Sequence, residues 1–108
     1  MSKLLDIMQE RFIGKICVIR SDRAGVFAAK LEAKEGSTVY ITDARRLWYW
    51  DGAASLSELS QRGVCAPDTC KFPVKMQELI VEGVLEVIPM TDEAIKSIES
   101  VKVWGRFK

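Results

Sequence analysis

Residues 15–42 read KICVIRSDRAGVFAAKLEAKEGSTVYIT, and the fold is decided there. Ile16, Cys17, Val18 and Ile19 follow one another without a break within residues 15–20, and a short continuous run rich in β-branched residues reads as a buried strand. Ser21-Asp22-Arg23-Ala24-Gly25 has the composition of a turn. Over residues 26–34, Phe27, Ala29, Leu31 and Ala33 alternate with Ala28, Lys30, Glu32 and Lys34, the period of two expected of a half-buried strand. Glu35-Gly36 offers a tight reversal, and TVYIT at 38–42 is again β-branched and aromatic. Strands joined by such short turns run antiparallel, so this third of the chain is a meander.

Working outward, Leu4, Leu5, Met8 and Phe12 are spaced as one face of a helix over residues 2–12, ended by Gly14. Residues 1–13 are therefore a short helical arm, and 14–108 one α+β domain. Downstream, Asp43-Ala44 interrupts the third strand, residues 45–50 extend or restart it, and Asp51-Gly52 closes it. Ser55 and Glu58 have capping-box spacing ahead of a helix over 56–62, with Gly63 in the position that ends it. Pro67-Asp68 opens a loop containing Cys70. Residues 75–82 and 84–88 flank Gly83 as two strands or one bent strand. Thr91-Asp92-Glu93 caps a last helix with Ile95 and Ile98 inward, before a tail over 101–108 containing Trp104. The expected architecture is a small α+β fold, mainly antiparallel sheet with two or three short helices.

Composition narrows the chemistry. A chain of 108 residues with 48% hydrophobic and 29% charged residues supports one core. A net charge of +1, from 16 Lys+Arg against 15 Asp+Glu, lacks the broad basic field of duplex binding, so no polymeric nucleic acid is expected as partner. With His 0, Ser-His-Asp and Cys-His catalysis and His-ligated metal sites are excluded. Cys17, Cys65 and Cys70 are odd in number, and the Cys65/Cys70 pair has no second pair to complete a zinc site, so neither a metal nor a cofactor is expected. Asp6 and Glu10 interrupt the first ten residues, which contain no apolar signal core, and no run approaches the ~18 apolar residues of a membrane span. The expectation is a reduced, cytoplasmic protein without a membrane partner.

Trp48-Tyr49-Trp50, directly after Arg45-Arg46, is the segment that invites a function. On a strand, Arg46, Trp48 and Trp50 share one face, and Arg45, Leu47 and Tyr49 the other. One reading buries both faces, the second against another subunit. The other is a base-stacking platform with guanidinium groups set to meet phosphate, because Arg presents a planar bidentate fork and an indole stacks on any nucleobase. Arg20 and Arg23 add two guanidiniums around the Gly25 turn. The candidate ligand-binding residues are thus Arg20, Arg23, Arg45, Arg46, Trp48, Tyr49 and Trp50.

The stretch ARRLWYWDGAASLS at 44–57, preceded by Val18-Ile19-Arg20 and Ala24-Gly25-Val26 and followed by Cys70-Lys71-Phe72 and the 98–104 segment, resembles a family of small tailed-phage proteins. The likeness spans about residues 14–104 and leaves out the N-terminal arm. That family is similar to phage sponge proteins that sequester cyclic-nucleotide signals of CBASS or Thoeris immunity. The resemblance implies an oligomeric, non-enzymatic protein of the infected host cytoplasm, binding a cyclic nucleotide such as a cyclic dinucleotide. A phosphodiesterase would want a cluster of metal ligands or a His or Lys general acid, and the sequence offers no such constellation. Three Trp, an apolar tail and near-zero net charge on so small a core also point to a homo-oligomer. The alternative is a virion structural or adaptor protein whose aromatic block is an oligomer interface.

Overall fold

The computed structural model describes residues 2–105 of the chain. The elements are α1 (Lys3–Arg11), β1 (Ile16–Ser21), β2 (Gly25–Glu35), β3 (Thr38–Arg46), α2 (Leu56–Arg62), a 3-10 turn (Pro67–Thr69), β4 (Met76–Val81), β5 (Val84–Pro89) and α3 (Asp92–Glu99). All five strands form one antiparallel sheet in the order β4-β3-β2-β1-β5. This is the small α+β domain read from the sequence, and the 75–88 stretch is two strands rather than one bent strand.

Strand order and connectivity together force a curl. β4 and β5 are opposite edges of the sheet, which would lie about 19 Å apart if it were flat, yet only Glu82-Gly83 joins them, a link reaching at most about 11 Å from Val81 to Val84. The sheet must therefore roll until its edges approach. Three bulges accommodate the roll. Leu85 is extra on β5 beside Arg20/Ser21, one residue is extra on β2 between Leu31 and Ala33, and one is extra on β3 between Thr42 and Arg45. The concave side encloses a core of Cys17, Ile19, Phe27, Ala29, Leu31, Val39, Ile41, Ala44, Val81 and Val84.

The β3 bulge has the largest consequence. Val39 and Ile41 point into this core, and strict alternation would send Asp43 and Arg45 there too. Asp43 instead adopts φ 53°, absorbs the extra residue and turns Ala44 inward. Arg45 is thereby moved to the convex side, and Arg46 to the concave side over its cross-strand neighbour Phe27.

A second core covers the convex side. α2, α3 and the loops around them bring Leu59, Val64, Cys70, Phe72, Ile98 and Val101 against Ala28 and Leu47. The two helices meet at Gly63 and Ser97, where the Ser97 hydroxyl donates to the Val64 carbonyl (3.0 Å) and accepts from its amide (2.9 Å). Ser55 and Thr91 cap α2 and α3, and Glu58 reaches back to the Ala54 amide, one residue short of the reciprocal capping-box contact. Ile98 is fully inward in α3, whereas Ile95 is only half-buried and Ala94 takes the other buried position. α1, capped by Ser2, buries none of its residues; Phe12 and Ile13 after it pack on the concave core. Residues 106–108 of the expected tail lie outside the described residues. Among the described residues no helix is long and apolar enough to cross a membrane.

Candidate functional site

Strand β3 ends at Arg46, so the alternation expected across 45–50 does not continue. The chain peels away after the Leu47 amide bonds the Val26 carbonyl (2.8 Å), and Tyr49 makes an isolated antiparallel bridge to Lys71. Leu47 enters the convex core and Trp50 packs against it, while Trp48 stays 65% exposed. Departure from the sheet separates residues that strand parity had grouped.

Even so, four of the seven expected residues converge. Arg23, Arg46, Trp48 and Trp50 line one shallow groove of about 340 Å³ at the end of β3, with the Ala24-Gly25-Val26 turn as its floor. Arg46 is held by the concave core: its guanidinium lies 4.6 Å from the Phe27 ring centroid and donates to the Ala24 carbonyl. That anchoring costs it one of five N–H donors. Arg23 is exposed on the turn. Among the described residues neither arginine has a carboxylate partner, which leaves both charges for an incoming anion.

The other three part company. Arg45 is 4% exposed, and its guanidinium donates to the carbonyls of Ile98 (2.9 Å), Val101 (2.6 Å), Phe72 (3.3 Å) and Pro73 (3.4 Å). It also lies 5.5 Å from the Phe72 ring centroid, and burial pulls its pKa below the ordinary guanidinium value. The expectation that Arg45 contacts a ligand is corrected on that ground. It is a clamp holding the end of α3 and the following residues to the 72–73 segment. Arg20 sits on β1, paired with Glu86 at 2.7 Å, and does not line the groove. Tyr49 points elsewhere too, with its ring 5.8 Å from the Lys71 ammonium nitrogen.

Two further features were not singled out from the sequence. Lys71 lies between Tyr49 and Trp104, 22 and 33 positions away in the chain, and nothing in local spacing signals that meeting. A second cavity of about 240 Å³ separates α1 from β5 and is lined mainly by Leu4, Ile7, Met8, Phe12, Leu31 and Val84. Lys34 and Glu86 are the charged residues of a lining that is otherwise apolar. Among the described residues no three Cys, Asp or Glu side chains gather as metal ligands would.

Residues 14–98 match the family described as Domain of unknown function (DUF6948). The chain belongs to that family. The match begins at Gly14, just past α1, and takes in the five strands, α2 and almost all of α3, with Arg23, Arg46, Trp48 and Trp50 inside it. No curated protein and no solved structure matches the chain significantly.

Proposed function

We propose that this protein is a non-catalytic binder of a small nucleotide, and that the Arg23, Arg46, Trp48 and Trp50 groove is where the nucleotide sits. One observation carries the reading. Two guanidiniums with no carboxylate partner among the described residues and two indoles, drawn from the β1–β2 turn, the last residue of β3 and the segment after it, meet on one surface. Arginines then hold phosphate and an indole stacks on the base, which is the division of labour that nucleotide binding needs. The groove is at the low end of the ~300–1,000 Å³ usual for ligand sites, so it suits one nucleotide unit.

Within that reading, the biological role is a phage-encoded sponge in the cytoplasm of the infected host. It binds a cyclic nucleotide immune signal and withholds it from its effector. A homo-oligomer would place further surface around so open a groove. The reading is supported by the residue chemistry and by the sequence resemblance described above. The other reading, a structural or adaptor protein, draws on the 65% exposure of Trp48, which would be covered at an oligomer interface.

Incubation with a panel of cyclic mono-, di- and trinucleotides, removal of free ligand, heat denaturation and mass spectrometry distinguish these roles. A sponge returns intact nucleotide, whereas an adaptor retains none. Recovery of linearised product would replace binding with hydrolysis.

A further inference from the structure

On the other flank of the same segment lies a cluster that the groove does not use. Tyr49 joins the two: its amide donates to the Lys71 carbonyl (3.2 Å) and its carbonyl accepts from the Lys71 amide (2.8 Å). Phe72 in turn bridges Val103 in parallel, and its carbonyl accepts from the Trp104 amide (3.0 Å). Three distant pieces of chain are thus fixed side by side, with buried Phe72 and the Arg45 clamp beneath them. On their outer surface the Lys71 ammonium nitrogen lies 5.8 Å from the Tyr49 ring centroid and 5.7 Å from that of Trp104. Tyr49 and Trp104 are 49% and 47% exposed as residues. No carboxylate of the described residues pairs with Lys71 within 4.0 Å.

This arrangement has the chemistry of the groove in a second copy. A cation with no carboxylate partner among the described residues is available to phosphate, and the aromatic surface of Tyr49 and Trp104 that Lys71 leaves exposed is available to a base. Trp48 lines the groove and Tyr49 lies against Lys71, so these neighbours serve different flanks of the segment. A groove of about 340 Å³ takes one nucleotide unit and leaves any second unit to be held elsewhere.

We infer that Tyr49, Lys71 and Trp104 form a second nucleotide station, and that the ligand carries two nucleotide units, one on each flank of residues 48–50. The inference rests on the nucleotide reading of the groove. Calorimetric titration of the full chain with AMP, the linear dinucleotide pApA and cyclic di-AMP tests it. The parent is expected to bind one of the two dinucleotides at least tenfold more tightly than AMP, and linear against cyclic shows which geometry spans the segment. Lys71→Gln and Trp104→Ala are each expected to lose about tenfold in dinucleotide affinity while AMP affinity stays within twofold. Lys71 is exposed, so Lys71→Gln reports even if Trp104→Ala fails to fold. Dinucleotides no tighter than AMP, or unchanged dinucleotide affinity in Lys71→Gln, overturn the second station alone. A parent that binds none of the three probes overturns the groove reading together with it.

Discussion

Replacing Arg45 by alanine is expected to be among the most damaging single changes in this domain, although Arg45 and Arg46 are indistinguishable in kind in the sequence. The guanidinium spans four carbonyls from two stretches of chain, with the Ile98 and Val101 bonds at 2.9 and 2.6 Å and the Phe72 and Pro73 bonds longer at 3.3 and 3.4 Å. Hydrogen bonds from a charged donor contribute about 1.5–3 kcal/mol each, and two are of full strength here. Against them stands the cost of keeping a cation buried with no carboxylate in ion-pair contact among the described residues, Glu99 acting on it only from further off. Truncation removes the charge, leaves the buried Val101 carbonyl unpaired at about 1–3 kcal/mol while the Ile98 and Phe72 carbonyls keep the Val101 and Trp104 amides, and opens a void beside Phe72. The net expectation is a loss of about 3–5 kcal/mol. With a urea m-value of about 1.5 kcal/mol/M, the unfolding midpoint should fall by about 2–3 M. Arg46→Ala, which gives up one carbonyl contact and a ring contact at a half-exposed site, should lose only about 1 kcal/mol. Urea titration followed by circular dichroism measures both. A loss below 1 kcal/mol for Arg45→Ala, or equal losses for the two variants, would refute the assignment of Arg45 as the clamp.

The remaining expectations concern packing, thiols and binding. Gly63→Ala should destabilise by more than about 2 kcal/mol in thermal melts, because the residue has φ 82° and an added Cβ would fall 2.3 Å from Ser97 Cβ. Burial pushes the Cys17 thiol up to about 11 from 9.0, so a thiol reagent at neutral pH should label exposed Cys65 and spare Cys17 in the native protein. Because the folded-state value is the higher one, the unfolded chain ionises first, and the Cys17 contribution to stability is complete below pH 9 and lost as pH rises towards 11. Cys17→Val should flatten that part of a stability profile measured by chemical denaturation. Arg46→Ala and Trp48→Ala should each weaken nucleotide binding by about 1.5–3 kcal/mol in calorimetry, while Arg20→Ala, outside the groove, should leave it unchanged.

The meander over 15–42 was legible because alternation and turn residues are local signals, and the capped starts of α2 and α3 were legible for the same reason. The curl of the sheet was not, since it follows from which edges Glu82-Gly83 connects and no local pattern records that. Strand parity correctly separated Arg45 from Arg46. What it lacked was knowledge of which face would be covered, because the carbonyls that hold Arg45 come from residues 72, 73, 98 and 101. Likewise Trp48 and Trp50 do share the groove with Arg46, but by way of a chain that leaves the sheet at Leu47 rather than by continued alternation. Lys71 carried no signal at all, since its partners are brought to it by long-range bridges.

The most direct test of nucleotide binding in the groove is a two-dimensional amide NMR titration with a dinucleotide, following the indole N–H signals of Trp48, Trp50 and Trp104 and the side-chain Nε–H of Arg46. Saturable shifts of Trp48, Trp50 and Arg46, with a ligand spectrum that stays that of the intact nucleotide, are the predicted result. Shifts absent from these signals at saturating nucleotide, or confined to the apolar cavity between α1 and β5, would contradict it.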